Sequence, residues 1–289
     1  MAQVVAVHGI ANEFFNAAVI AKNWEPAICG SLQLPGVDFH DPVAVDIAFY
    51  GDLFRKQGTM ATGFPQRTVS DLSDYEGELL VEIWKEAAKT NSSVMPPDAE
   101  TMLYVPDTIR RAFNALAHLR FLSGIVDHTA ILWFVNQVYR YFHEPEIRAE
   151  AQRRVAATID ADTKVLVAHS LGSIVAYEAL CAYPEWPVRA LVTIGSPLGA
   201  PNLVFDRLNP APTDGMGQWP AGLQQWTNVS ATGDFVALER KLANRFGSRV
   251  VDVPVDNAKD AHDASKYLTA KETALAIRDG LLISDSVER

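Results

Sequence analysis

Lys164-Val165-Leu166-Val167-Ala168-His169-Ser170-Leu171-Gly172 is the stretch on which the reading of this chain turns. Its first four residues read as a short buried strand, and residues 173–183 read as a helix. Between them stands a serine with small residues two before and two after it, Ala168 and Gly172. A strand that passes into a helix over so few residues brings the two elements close together, and small side chains are what the crossing can hold. The turn forces the serine backbone into a strained conformation and lifts its hydroxyl clear of the sheet edge. The simpler reading of such a serine is a helix N-cap.

Outward from this stretch, residues 4–7, 43–50, 188–194, 225–231 and 249–253 read as further strands, short and rich in β-branched and apolar residues. Helical patterns at 14–28, 146–159, 173–183 and 269–282 separate most of them. Strands alternating with helices imply an α/β fold, with a mostly parallel sheet flanked by helices on both faces. Such a sheet binds ligands beyond the carboxyl ends of its strands.

Residues 51–145 break the alternation. Leu79, Leu80, Ile83, Trp84 and Ala87 fall on one helical face, as do Ile109, Phe113, Leu116 and Arg120 less cleanly, and residues 121–141 form a third helical stretch. The segment reads as a helical cap inserted into a single domain spanning 1–289, packed above the sheet. Its apolar faces are read first as core packing and only weakly as a site for a hydrophobic substrate. Pro145 stands where a helix would restart. Residues 199–222, with several prolines and glycines, read as a long loop of the kind that walls a pocket.

Composition narrows the function. The formal net charge of −10 argues against a nucleic-acid or anionic-membrane partner. The most apolar stretch, 129–139, is too short to span a bilayer, which takes about 20 apolar residues. Residues 1–5 enter a strand at once, with no signal-peptide pattern, so the cytoplasm is the expected compartment. Cys29 and Cys181, the two cysteines, make neither a disulfide framework nor a metal site and read as buried small hydrophobes. No zinc-ligand spacing and no Gly-rich phosphate loop occurs, so no metal or organic cofactor is expected.

Chemistry-bearing residues cluster at strand ends. A serine hydroxyl is a weak nucleophile that needs a base, an acid to orient that base, and donors for the oxyanion it generates. His8-Gly9-Ile10 ends the first strand. Ala168-His169-Ser170-Leu171-Gly172 has the form of a nucleophile elbow. Thr193-Ile194-Gly195-Ser196-Pro197 ends the next strand, and Thr232-Gly233-Asp234 follows the one after. Asp260-Ala261-His262-Asp263 lies in a polar loop beyond the last strand, and His262 is the one histidine of seven that follows Ser170.

In these residues the chain resembles the α/β-hydrolase superfamily, especially its lipase- and esterase-like members. The resemblance covers roughly residues 3–50 and 146–283. Some bacterial lipases likewise carry Ala-His-Ser-x-Gly in place of Gly-x-Ser-x-Gly. The antiparallel strands that often precede the first strand in that family are expected to have no counterpart here. The family's order of serine, acid, histidine implies Ser170 as nucleophile, Asp234 as acid and His262 as base, with Asp256, Asp260 and Asp263 competing for the acid's place. It implies the backbone N–H groups of Ile10 and Leu171 as oxyanion donors, with His8, Gly9, Ala168, His169 and Gly172 supporting the two turns. His169 is expected to be structural or pocket-lining.

The resemblance implies hydrolysis of a small or lipid-like carboxylic ester through an acyl-enzyme. Peptide or thioester hydrolysis and acyl transfer use the same triad and stay open. So does a non-catalytic binding module on a hydrolase scaffold.

Overall fold

A computed structural model gives the structure of the protein and describes residues 1–10, 12, 15–55, 67–97, 106–116, 130–258 and 260–284. Six strands form one sheet: β1 (Val4–Val7), β2 (Val45–Ala48), β3 (Val165–His169), β4 (Ala190–Ile194), β5 (Gln225–Ala231) and β6 (Val250–Val255). Every pairing is parallel, and the strands lie in the order β2-β1-β3-β4-β5-β6. β1, β3 and β4 are buried at every position. That is why they read as unbroken apolar runs rather than alternating ones.

Successive strand residues feed two cores. Val5, Val7, Leu166, Ala168, Leu191 and Trp226 face one way. That face is covered by α2 (Asp74–Thr90), α4 (Ala130–His143), α5 (Pro145–Thr158) and α6 (Leu171–Ala182), with α3 (Pro106–Leu116) packed on α2. Val4, Ala6, Val165, Val167, Val192 and Val229 face the other way. They meet α1 (Ala17–Leu32), α8 (Ala264–Leu268) and α9 (Lys271–Leu281). A one-turn helix, α7 (Ala243–Phe246), precedes β6.

The crossovers decide where a ligand can sit. From β1 the chain leaves through α1 on one face, and from β3 through α6 on the other. The connections after these two neighbouring strands therefore diverge and leave a crevice at their carboxyl ends, the topological switch point of the sheet.

Between β2 and α5 no strand occurs among the described residues. Leu79, Leu80, Ile83 and Ala87 are buried in the core shared with the sheet, so the apolar face of α2 is core packing. Among the described residues these helices share one core with α5 and α6 on this face of the sheet. Phe14, residues 117–120 and residues 121–129 of the expected helices lie outside the described residues.

Several boundaries differ from the sequence reading. β2 is half its expected length, α1 starts at Ala17 under an Asn16 cap, the helix expected at 269–282 is α9, and α8 precedes it where no helix is expected. Asn16 Oδ1 accepts from Val19 N–H at 3.0 Å, which fixes the start of α1. The 199–222 loop is packed down: Leu203, Val204, Phe205 and Leu208 are buried in the α6-side core. Cys29 and Cys181 are free thiols, each partly buried rather than fully so. No described helix is long and apolar enough to cross a membrane.

Candidate active site

β3 ends at His169, and the backbone of Ser170 takes φ 54° and ψ −129° before α6 begins at Leu171. A positive φ on a non-glycine residue costs on the order of 1–3 kcal/mol and persists where the surroundings enforce it. Here the enforcement is visible. Ser170 N–H donates to Ile194 C=O at 3.2 Å, tying the turn to β4, and Ser173 Oγ donates to Ser170 C=O at 2.6 Å. Gly172 leaves no room for a side chain, because a Cβ there would run into the carbonyls of Val7 and His8. Gly9 is equally constrained: its Cβ would lie 2.7 Å from Ser170 Cβ and 2.9 Å from His169 Nδ1.

The Ser170 side chain makes no helix-capping hydrogen bond. Its Oγ lies 3.0 Å from His262 Nε2, and His262 Nδ1 lies 2.8 Å from Asp234 Oδ2. A carboxylate only accepts, so Nδ1 carries the proton and Nε2 offers its lone pair to the serine hydroxyl. All three residues are buried.

Asp234 follows β5 through a turn in which its own N–H donates to Ala231 C=O at 3.0 Å. Its second oxygen, Oδ1, accepts from Val236 N–H at 2.9 Å and Ala237 N–H at 3.4 Å. Burial pushes its carboxyl pKa up. The His262 ring, the Tyr267 hydroxyl and the Val236 N–H outweigh burial and hold it below the usual value. Asp256 and Asp263 are used locally, accepting from Ala258 N–H and Ser265 N–H at 2.8 Å each. The place beside His262 Nδ1 belongs to Asp234.

His169 turns away from the serine. Its Nε2–H donates to His262 C=O at 3.1 Å, and its ring lies 4.7 Å from the His262 ring, centre to centre. His8 Nε2 accepts from Tyr50 N–H at 3.1 Å, so Nδ1 carries the proton and donates to Gly9 C=O at 2.6 Å. Both imidazoles are held neutral chiefly by burial, His8 at about 4 and His169 at about 3.

Ile10 is buried just beyond the end of β1, and Leu171 opens α6, where first-turn N–H groups have no partner within the helix. Asn12 Nδ2 braces the β1 turn by donating to Gly9 C=O at 3.1 Å and Ile10 C=O at 2.8 Å.

The chain matches no protein-family model and no curated protein sequence.

Two further residues shape the site without having been legible as parts of it. Gly195, at φ 55°, passes under the Asp234–His262 pair: a Cβ there would lie 2.9 Å from Asp234 Oδ2 and 3.1 Å from His262 Nδ1. Tyr267, on α8, donates its hydroxyl to Asp234 Oδ2 at 2.7 Å. Gly195 was in view as the residue after a strand. Tyr267 carried no local signal, because a five-residue helix shows no periodicity.

A cleft of about 570 Å³ lies elsewhere, between α2 and the loops at 201–203 and 238–239, and Ser170, Asp234 and His262 do not line it. Among the described residues, no group of three or more His, Cys, Asp or Glu side chains is placed to hold a metal ion.

Proposed function

We propose that the protein is a serine hydrolase of the α/β-hydrolase type that cleaves carboxylic esters through an acyl-enzyme. The observation that carries this reading is His262 bridging a strained serine and a buried carboxylate through its two ring nitrogens, in the one tautomer that leaves Nε2 free to take the serine proton. The strand order also supports it. Ser170 and the Gly9–Ile10 turn stand at the carboxyl ends of the two strands flanking the switch point.

In this reading Ser170 Oγ attacks the ester carbonyl carbon while His262 Nε2 takes its proton. The carbonyl oxygen becomes an oxyanion held by the N–H groups of Leu171 and Ile10, with the N-terminal end of α6 adding favourable potential. His262 then returns the proton to the leaving alkoxide, and the C–O bond breaks to leave the acyl group on Ser170. Water attacks the acyl carbon, giving its proton to His262, and the acid departs as Ser170 is reprotonated. Asp234 holds the imidazole in place and stabilises its charged form. In this reading the helices described within 51–145 are an insertion packed on the α6-side core of the fold.

A fluorophosphonate probe tests the reading. The protein is expected to be labelled on Ser170 and the Ser170→Ala variant to be unlabelled, with His262→Ala at least about 1000-fold slower than wild type. Absence of labelling in the wild-type protein would mean a scaffold that binds without catalysis. A series of acyl esters run beside peptide and thioester substrates then tests the ester, and turnover confined to peptides or thioesters sinks that part of the reading.

A further inference from the structure

Asp234 Oδ2 has two donors. His262 Nδ1 reaches it at 2.8 Å and Tyr267 OH at 2.7 Å. The Tyr267 oxygen also accepts from Ala231 N–H at 2.8 Å, on the last residue of β5. The phenol is therefore pinned from both sides, accepting from the strand that positions Asp234 and donating to Asp234 itself. Its ring is buried, so it cannot swing away to solvent.

A carboxylate oxygen that accepts two hydrogen bonds divides its charge between them, and a donor on the charged form stabilises that form. Each donor weakens the pull of the oxygen on the other. We propose that Tyr267 is a positioning residue that limits how strongly Asp234 holds the His262 proton, and so sets the pH range over which Ser170 is activated. The proposal rests on the reading of Ser170, His262 and Asp234 as the catalytic set.

Among the described residues, few other groups face His262 to set that range. From the β3 turn, His169 and Ser170 face His262. From behind His169, His8 acts on it through its charge. From the β5 side come Asp234 and, towards Tyr267, the charge of Arg240. From its own loop come Asp260 and Asp263, the latter capping α8. His8 and His169, at about 4 and about 3, stay neutral above pH 5. Burial and the neighbouring Asp234 push the Tyr267 hydroxyl well above its ordinary value, so it stays a donor throughout.

The test is the pH profile of fluorophosphonate labelling. Tyr267→Phe removes one donor from Oδ2 and is expected to move the acid limb to higher pH by about half a unit or more. Site-specific replacement of Tyr267 by 3-fluorotyrosine keeps the ring and both hydrogen bonds but makes the phenol a stronger donor. The acid limb should then move to lower pH. A purely structural tyrosine would lower stability and leave both limbs where they are, and that result overturns the proposal.

If the phenylalanine variant does not fold, the fluorotyrosine protein decides alone. An NMR titration of the His262 ring protons in a Ser170→Ala background reads the same shifts without any labelling. The serine-hydrolase reading can therefore fail, through an unlabelled wild-type protein, while the role of Tyr267 is still decided.

Discussion

Gly195 shows how a residue without a functional group can govern a site. Its backbone sits at φ 55°, which costs a glycine little and an alanine about 1 kcal/mol or more. Its missing side chain leaves the space in which Asp234 Oδ2 and His262 Nδ1 meet. Gly195→Ala is expected to keep the fold by circular dichroism but to push Asp234 and His262 apart, slowing labelling of Ser170 by roughly 100-fold. Near-normal labelling would show that the pair can shift without losing alignment. Gly172→Ala should behave differently. The obstruction there is the backbone of β1, which cannot move without disturbing its pairing with β2 and β3, so the fold itself should suffer. Ser170, Asp234 and His262 were legible as a candidate set because each lies in a turn or loop that follows a strand, in the order that the resembled family uses. Gly195 and Tyr267 were not, because their roles arise where loops from β4, β5 and β6 converge, and no local pattern records that approach.

Helix α6 carries the Ser170 turn at its start and a buried charge about two turns along, at Glu178. Glu178 is buried and accepts from Tyr141 OH at 2.6 Å, Arg148 Nε at 2.8 Å, Gln152 Nε2 at 2.8 Å and Asn209 N–H at 2.9 Å. These partners come from α4, from α5 and from the loop after β4, so one carboxylate joins three segments to α6. Glu178→Ala would strand the Tyr141 hydroxyl and the Arg148 charge, at a cost of about 3 kcal/mol or more. Urea unfolding measures this. Labelling of Ser170 well below the transition should stay within a few fold, because eight residues of helix, about 12 Å, separate Glu178 from Ser170. Labelling lost in step with stability would mean that the network positions the elbow as well as the layer. The presence of these helices was legible from their apolar faces, and Pro145 opens α5 as its first-turn preference indicates. The network was not, because single charged residues on three segments carry no sign that they will meet. Helix α8 was hidden for a related reason: five residues are too few to show a helical period.

For the molecule as a whole, alternation along the chain established a parallel sheet but not its order. The order follows from which face each crossover takes, and that depends on how α1 and α6 divide the two cores. The same division buries imidazoles at the carboxyl edge, where a polar turn must pack against apolar helices. His8 is fully buried and neutral, with burial holding its pKa at about 4 against 6.5 when exposed. In the unfolded chain it binds a proton as pH falls below 6.5, while in the folded protein it does not until about 4. Stability therefore decreases as pH falls through that window, by on the order of 3 kcal/mol for this group. His169, at about 3, and the depressed carboxyl of Asp234 act in the same direction. Melting temperature should accordingly drop from pH 6.5 to pH 4. His8→Gln can still donate to Gly9 C=O and accept from Tyr50 N–H but takes up no proton, so its melting temperature should fall less steeply over the same range, even if it starts lower at pH 7. An equal slope in the two proteins would assign the acid sensitivity to other groups, and burial of a neutral His8 would then have no part in it.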